Sequence, residues 1–392
     1  MFRERLNNLR QRNTVRIITD RHARTEGEGA GTKILIGAGE YLNFSSNDYL
    51  GLCFNNSIMT AAKQAVDSYG FGAGSSRLLS GGTMLHGKLE REIAAFKGTG
   101  SALVFNSGYA ANTGTIPAIA GQDTVIFSDE LNHASIIDGC RLSRAKKIIY
   151  PHRDTTRLSE LMQDERGPKM VITESVFSMD GDIAPLREIH ELCLCHDALL
   201  YIDDAHGTGV LGGGYGVLRH FGLEPSSRII QMGTFSKAFG SFGGFVAGDR
   251  NVIEWLINTG RSFIFSTALP ACVLAASLAA LEIVRNDDGL VRRLWTNRER
   301  LYQGIKGLGF STTGSESPII PVIPPYPGFS SYGDDIANTL KFSEYLMENG
   351  IYAPAIRPPT VKVPRIRFTV TAAHTDDDID RLLEVLRSAG KS

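Results

Sequence analysis

Short apolar runs alternate with helical patterns through the middle of the 392-residue chain. Successive positions in each run are apolar, which is typical of strands that are covered on both faces. The pattern predicts seven strands, at 101–105, 124–127, 147–150, 170–173, 199–202, 229–232 and 244–247. Because strands that alternate with helices form a mostly parallel sheet with helices on both sides, the sequence predicts an α/β fold.

The two ends of the chain show other patterns. They predict a short amphipathic helix at 2–12, a hairpin at 33–44, a helix-rich stretch at 268–307, strands at 318–323 and 365–370, and a helix at 376–388. The proline-rich stretch 324–328 predicts a loop. We therefore predict an N-terminal helix and hairpin segment over 1–52, a large domain over 53–288 and a small C-terminal α/β domain over 289–392.

Composition narrows the functional classes. The net charge is −1, and the basic residues are spread along the chain without a block, which disfavours nucleic-acid and anionic-membrane partners. The longest apolar stretch, 268–284, contains Pro270 and Glu282 and is too short to span a membrane. A hydrophobic content of 42% supports a sizeable core. We therefore expect a globular protein without nucleic-acid or membrane partners.

The five cysteines are odd in number and lack paired spacing, which favours a reduced, cytoplasmic setting. The charged N-terminus does not have the apolar centre of a signal peptide. His190, Cys193, Cys195 and His196 could suggest metal ligands, but their spacing matches no common zinc pattern. We predict that they pack on a helix and that the protein has no metal site.

The segment 233–240 contains the most informative chemistry. Lys237 follows the hydroxyl residues Thr234 and Ser236 and precedes small residues. A lysine so placed can form an imine with an aldehyde cofactor while the hydroxyls hold an anion. Asp203 ends a predicted strand, where a carboxylate can keep a pyridine nitrogen protonated. This pairing predicts pyridoxal 5′-phosphate (PLP) as the cofactor.

Other polar residues also follow predicted strands. The turn at Gly108 and Tyr109 opens a helix, so its amides and the helix dipole suit a phosphate, and Tyr109 can stack on a flat ring. His133 is placed to stack over a pyridine ring, and His206 to support either Asp203 or the phenolic oxygen of the cofactor. Ser178 either reaches the cofactor or caps its own turn.

Five separated blocks carry a family resemblance, at 43–52, 72–77, 177–181, 203–207 and 234–240. Together they resemble the α-oxoamine synthases of the fold-type I, aspartate aminotransferase-like PLP enzymes, and the match covers nearly the whole chain. Within that family, 355–361 and 365–369 are similar to the 8-amino-7-oxononanoate synthase branch. The glycine-specific 2-amino-3-ketobutyrate CoA ligases usually lack its Arg-Pro-Pro-Thr. One departure is Lys362-Val363-Pro364, where a Pro-x-Gly turn is common.

The resemblance implies a decarboxylative condensation of L-alanine with pimeloyl-CoA, or pimeloyl carrier protein, in biotin biosynthesis. Lys237 would hold PLP as an imine and remove the Cα proton of alanine, and Arg367 would bind the alanine carboxylate. His133 and His206 would flank the ring, and Ser178 would contact it. Asp203 would maintain the pyridinium that stabilises the carbanion.

The resemblance also implies the remaining contacts. Thr234, Ser236 and the amides of Gly108 and Tyr109 would bind the phosphate. Asn47 would bind substrate, and Thr360 with an N-terminal arginine, either Arg16 or Arg21, would contact the acyl donor. The family usually forms a homodimer, in which Thr267 would reach the phosphate of the neighbouring subunit.

Three alternatives stay open at this point. A 2-amino-3-ketobutyrate CoA ligase would use glycine and acetyl-CoA. A PLP aminotransferase shares the fold and the lysine–aspartate pair, but it would admit a second keto acid instead of releasing a thiol. A PLP-fold regulator is disfavoured because the chain has no basic helix-turn-helix segment and retains Lys237, Asp203 and His133.

Overall fold

The computed structural model describes residues 2–16, 18–23, 31–326 and 335–389. Its helices are Phe2–Gln11 (α1), Asn56–Tyr69 (α2), Met84–Lys97 (α3), Gly108–Ile119 (α4), Ala134–Leu142 (α5), Thr155–Gln163 (α6), Leu186–Cys195 (α7), Val217–Phe221 (α8), Arg250–Thr259 (α9), Arg261–Ile264 (α10), Ala271–Asn286 (α11), Asp288–Gly307 (α12), Asp335–Glu348 (α13) and Asp376–Ala389 (α14). None of these helices meets the length and hydropathy that crossing a bilayer requires.

The strands in the same ranges are His22–Ala23 (β1), Lys33–Ile36 (β2), Gly39–Asn43 (β3), Ser101–Phe105 (β4), Val125–Asp129 (β5), Lys146–Tyr150 (β6), Lys169–Glu174 (β7), Leu199–Asp203 (β8), Ile229–Thr234 (β9), Gly244–Gly248 (β10), Ser311–Thr312 (β11), Ile319–Ile323 (β12), Ile351–Tyr352 (β13), Ala355–Ile356 (β14) and Arg365–Thr369 (β15).

The chain forms two compact units. The larger unit consists of Leu52–Ser178 and Ile183–Arg292, and the smaller consists of Met1–Gly51, Met179–Asp182 and Arg293–Ser392. The smaller unit thus contains both the N-terminal hairpin and the C-terminal strands. The three-segment division drawn from the sequence stays a prediction.

The larger unit contains a seven-stranded sheet in the order β4-β10-β9-β8-β7-β5-β6. β10 pairs antiparallel with β4 and β9, and the other pairs are parallel. Ile172, Ile202 and Ile230 in the central strands are fully buried, as continuous apolar runs require. The predicted α/β fold and its mostly parallel sheet are confirmed.

Four strands continue past their predicted ends into polar residues. β5 includes Asp129, β7 includes Glu174, β8 includes Asp203 and β9 includes Thr234. The reason is that the backbone ladder persists there, since Glu174 still pairs with Asp203 across β7 and β8. Polar side chains are therefore held rigidly inside the sheet rather than on the following loops.

The smaller unit contains two four-stranded sheets, β1-β2-β3-β13 and β11-β12-β15-β14. The hairpin of β2 and β3 gains a parallel partner from the C-terminal part of the chain, with Ile351 opposite Leu42. In the predicted loop 324–328, Pro324–Tyr326 form no strand or helix, and residues 327–328 lie outside the described residues.

Candidate active site

The strands β4, β5, β7, β8 and β9 all end at the same edge of the seven-stranded sheet, because they run in one direction. That edge brings together residues far apart in sequence. We call the group formed by Asn112, His133, Glu174 and Asp203 the strand-end cluster. The carboxyl edge of such a sheet is where α/β proteins bind ligands.

Asp203 forms the centre of the strand-end cluster and is only 5% exposed. Its carboxylate accepts hydrogen bonds from Asn112 Nδ2 at 2.8 Å and from the backbone N–H of Ala205 at 3.1 Å. Asn112 is itself fixed, since Tyr201 donates its hydroxyl to Asn112 Oδ1 at 2.7 Å. A carboxylate held by amide donors in a buried site can pair with a protonated pyridine nitrogen.

Asn112 was missed by the sequence reasoning. It lies one helical turn after Gly108 on α4 and is fully buried. An asparagine on an otherwise apolar helix face is a signal that could have been noticed, because a buried amide needs hydrogen-bond partners. Only the fold shows that its partners are Tyr201, Ser135 and Asp203.

His133 caps the start of α5. Its Nδ1 accepts the backbone N–H of Ser135 at 3.2 Å, so the neutral ring carries its proton on Nε2. Burial lowers the pKa of His133, with an opposing contribution from Asp203 and a further lowering by Lys237. A neutral, oriented imidazole can pack against the face of a flat cofactor ring.

Glu174 is the second residue of the strand-end cluster that the sequence reasoning did not single out. Burial raises the pKa of its carboxyl well above the ordinary value, and the nearby Asp203 raises it further. Lys237 acts in the opposite direction. These electrostatic effects place Lys237 beside the strand-end cluster, and they favour a neutral Glu174 next to Asp203.

Lys237 lies half-buried in a tight turn after β9. The turn closes through hydrogen bonds from Gly240 N to Lys237 O at 2.9 Å and from Ser241 N to Phe235 O at 2.9 Å. Gly240 has a φ of +58°, and a Cβ there would lie 2.5 Å from the backbone nitrogen of Cys53. Glycine is therefore required for the turn that presents the lysine.

A cradle for an anion lies at the start of α4. A Cβ on Gly108 would lie 2.6 Å from Thr234 Cγ2, so the helix start and Thr234 approach as closely as glycine allows. The buried hydroxyl of Thr234 has no hydrogen-bond partner within the part of the chain that the structure describes. A helix N-terminus with an unsatisfied hydroxyl beside it fits the phosphate of PLP.

The other predicted cofactor residues take different positions in the larger unit. His206 is buried in the turn that follows Asp203, Ser178 is half-buried and Ser236 is exposed. Tyr109 donates its hydroxyl to Asp138 and is half-exposed. Thr267 is exposed, and its carbonyl accepts a hydrogen bond from Asn106 Nδ2 at 2.7 Å.

In the smaller unit, Arg367 is part of a second polar group, which we call the arginine cluster: Asn47, Tyr49, Arg367 and Thr369. The buried guanidinium donates to Asn47 Oδ1 at 3.1 Å and to Thr369 Oγ1 at 3.1 Å, and it lies 3.5 Å from Tyr49 Oη. Burial raises the pKa of Tyr49 to about 12, so this phenol is neutral. The cluster orients a planar cation, which suits a carboxylate ligand.

The two candidate N-terminal arginines have different contacts. Arg16 donates from Nη2 to Thr360 Oγ1 at 2.9 Å. The guanidinium of Arg21 instead lies 5.0 Å from the ring centroid of Tyr352. Arg357 donates to the carbonyl oxygens of Asn13 and Val15 and thereby anchors the backbone next to Arg16.

Comparison with known proteins identifies the family of this chain. The class I and II aminotransferase family model matches residues 39–386. The 8-amino-7-oxononanoate synthase of Geobacter metallireducens is 47% identical, over 92% of this chain and 92% of that protein.

A solved serine palmitoyltransferase (SPT) with PLP as internal aldimine has a TM-score of 0.87 and 30% identity, covering 94% of this chain and 92% of that one. The 8-amino-7-oxononanoate synthase structure from Francisella tularensis has a TM-score of 0.75 and 29% identity, covering 90% of this chain and 98% of its own. The chain therefore belongs to the class I and II aminotransferase family and, within it, to the 8-amino-7-oxononanoate synthases, PLP-dependent acyltransferases of biotin biosynthesis.

Proposed function

We propose that this chain condenses L-alanine with pimeloyl-CoA or pimeloyl carrier protein, and releases 8-amino-7-oxononanoate, CO2 and the free thiol. The proposal depends on one observation: the larger unit contains the strand-end cluster, Lys237 and the phosphate cradle. The chain is also 47% identical to a named synthase. Bound PLP supplies the electron sink that stabilises negative charge at the amino-acid Cα.

The strand-end cluster, Lys237 and the phosphate cradle would perform the cofactor-side roles. Asp203, which Asn112 orients, would hold the pyridine nitrogen and help to keep it protonated. The neutral ring of His133 would pack against the cofactor. Lys237 takes the proton from the alanine Cα and returns one at the end of the reaction. The Thr234 hydroxyl and the Gly108 and Tyr109 amides would hold the phosphate of the cofactor.

The arginine cluster performs the substrate-side role. Arg367 binds the alanine carboxylate, and Asn47 fixes the guanidinium for that contact. A planar guanidinium can donate two parallel hydrogen bonds to a carboxylate. Thr360 and Arg16 contact the acyl donor, and their mutual hydrogen bond supports the choice of Arg16 over Arg21.

We also propose a homodimer. Large apolar side chains are strongly exposed on the larger unit, at Phe71, Leu79, Met84 and Phe265, with exposed fractions of 71–82%. A contiguous patch of exposed apolar side chains marks an interaction site. A second copy of the chain would cover them, and Thr267 would donate to the phosphate held by that copy. Because the described residues contain no disulfide bond, we place the enzyme in the cytoplasm.

A substrate panel tests the proposed function. Alanine, glycine and serine are each combined with pimeloyl-CoA, pimeloyl carrier protein, acetyl-CoA and palmitoyl-CoA, and released thiol and CO2 are measured. We expect turnover with alanine and a pimeloyl thioester. Turnover with glycine and acetyl-CoA would instead support a 2-amino-3-ketobutyrate CoA ligase. Amino transfer to a keto acid without thiol release would support an aminotransferase.

A further inference from the structure

We propose that a buried ion pair between Lys97 and Asp204 positions the cofactor-facing residues Asp203 and His206. Lys97 is the last residue of α3, and its Nζ lies 2.8 Å from Asp204 Oδ2. Both side chains are 0% exposed. The inference deepens the proposed function, because it rests on the role assigned there to Asp203 and on the expectation from the sequence that His206 flanks the cofactor ring.

The ammonium group of Lys97 has a complete set of acceptors. Besides Asp204, it donates to Thr208 Oγ1 at 3.1 Å and to the carbonyl oxygen of Tyr215 at 2.9 Å. An ammonium has three N–H donors, so these contacts satisfy it. Lys97 therefore joins the end of α3 to two segments that follow β8: the turn that contains Asp204 and Thr208, and the backbone at Tyr215.

The carboxylate of Asp204 is confined to one position. Thr208 donates its hydroxyl to Asp204 Oδ2 at 2.8 Å, and the backbone N–H of Val217 lies 3.3 Å from Oδ1. A Cβ on Gly207 would lie 2.1 Å from Oδ1, and one on Gly216 would lie 2.1 Å from Oδ2. Backbone therefore surrounds the carboxylate, and a displaced Asp204 would have to displace the chain around it.

The turn after β8 links Asp204 to the cofactor-facing residues. The carbonyl oxygen of Asp204 accepts from Gly207 N at 3.1 Å and Thr208 N at 2.7 Å, which closes the turn. Within that turn, Ala205 N donates to Asp203 Oδ1, and His206 is buried. A shift of Asp204 would therefore move both a hydrogen-bond donor of Asp203 and the ring of His206.

A buried ion pair is by itself weak evidence for a stabilising role. Two charges lose much hydration energy on burial, so replacing such a pair by neutral groups is often neutral for stability, whereas removing one partner is costly. The pair can therefore be tested through variants that separate stability from cofactor geometry.

The test compares Lys97→Met, the double variant Lys97→Met with Asp204→Asn, and Lys88→Met as matched control. Lys88 lies exposed on the same helix. The measurements are the PLP dissociation constant by equilibrium dialysis, the visible circular dichroism band of bound PLP, and the melting temperature of the apo-protein. We expect Lys97→Met to weaken PLP binding on the order of tenfold, as loss of ligand-orienting partners does in metal sites. It should also change the dichroism band, whereas Lys88→Met should alter neither.

The double variant separates the two roles. We expect its apo-protein to melt near the parent temperature, with PLP binding still weakened and the dichroism band still altered. Parent-like PLP binding and dichroism in the double variant would overturn the inference and leave the pair a stability role only. If the lysine variants do not fold, Thr208→Val tests the inference instead. It removes the hydroxyl that bridges Lys97 and Asp204 at similar side-chain volume. It should weaken PLP binding and alter the dichroism band, as expected for Lys97→Met. Unchanged binding and dichroism in a folded Thr208→Val would then overturn the inference.

Asp203→Asn separates this inference from the proposed function. If Asp203→Asn leaves the dichroism band and PLP binding unchanged, the proposed role of Asp203 fails. If Asp203→Asn changes them while both folded Lys97 variants do not, only the positioning role of Lys97 and Asp204 fails.

Discussion

The strand-end cluster and the arginine cluster hold buried charges of opposite sign in different surroundings. Asp203 accepts hydrogen bonds from amide groups, beside a second carboxyl whose pKa is raised. Arg367 donates to amide and hydroxyl oxygens beside a neutral phenol. Uncharged groups thus orient a carboxylate in one unit and a guanidinium in the other. The contrast suggests that the first region takes the cationic ring of the cofactor and the second takes an anionic substrate group.

The largest effect is expected at Lys237. Lys237→Ala should lower turnover roughly a hundred- to ten-thousandfold, the usual contribution of general acid–base catalysis, because it removes the group proposed to move the Cα proton. Borohydride reduction of the parent protein followed by peptide mapping should locate PLP on Lys237. The exposed Lys88→Ala serves as control and should keep normal turnover. PLP found on another lysine would contradict the assignment.

Asp203→Asn tests the sign of the charge in the strand-end cluster. Without the carboxylate the pyridine nitrogen loses its proton, so stabilisation of the Cα carbanion falls by about 4 kcal/mol, the size of a major electrostatic group. The measurement is the rate of α-proton exchange of alanine in deuterated water. A near-normal exchange rate would show that Asp203 does not face the ring nitrogen.

The folded chain should lose stability in acid because of His374, which lies near the arginine cluster. This buried ring stacks on Phe44 at 4.3 Å, and burial lowers its pKa to about 4, below the unfolded value of 6.5. The unfolded chain therefore binds a proton that the folded chain rejects as the pH falls below 6.5. The stability contribution is fully present above pH 6.5, and on the order of 3 kcal/mol is lost by about pH 4.

Urea unfolding of the apo-protein between pH 7 and pH 4 measures that loss. His374→Gln should flatten the decline in the free energy of unfolding. Part of the decline should persist, because burial also lowers the pKa of His86 to about 4. An unchanged pH dependence in His374→Gln would mean that His374 is protonated in the folded state.

Arg367→Lys tests the planar donor geometry of the arginine cluster. Lysine keeps the charge but cannot donate in a planar, bidentate way, so alanine binding should weaken roughly ten- to hundredfold while the Michaelis constant of the thioester stays unchanged. Both constants should be measured, with the exposed Arg381→Lys as control. A selective rise in the thioester constant would reassign Arg367 to the acyl donor.

The smallest effect is expected at Thr360. Thr360→Ala removes one hydroxyl, so the thioester Michaelis constant should rise severalfold, about 1 kcal/mol, without a change for alanine. Arg16→Ala should act in the same direction, and Arg21→Ala is the matched control because it lies over Tyr352 instead. If Arg21→Ala has the larger effect, the choice of Arg16 is wrong.

Much of the fold was predictable because its signals are local. Each of the seven strands of the large sheet was recognised from a continuous apolar run, and the hairpin of β2 and β3 from its central glycines. The pairing of β3 with β13 could not be read in the same way, since it joins residues about three hundred positions apart. Register between such distant segments depends on the packing of whole elements.

The candidate site residues divide in the same way, into those that local sequence predicts and those that depend on tertiary contacts. Lys237, Asp203 and His133 could be proposed from the sequence, because the carboxyl ends of parallel strands are where α/β proteins bind ligands. Asn112, Glu174 and the Lys97–Asp204 pair could not, because each depends on a partner brought near by the fold. The choice between Arg16 and Arg21 likewise required the contact with Thr360.

The sequence by itself determined the alternation of strands and helices, the family resemblance and the lysine–aspartate pair that indicates PLP. The physical reason is that periodicity, turn chemistry and strand ends are properties of neighbouring residues. Only the tertiary structure decided which groups orient Asp203, which pKa values are shifted and which charges are buried together. Hydrogen bonds and electrostatic interactions depend on distance in space, and the parallel sheet places strand ends side by side that are tens of residues apart along the chain.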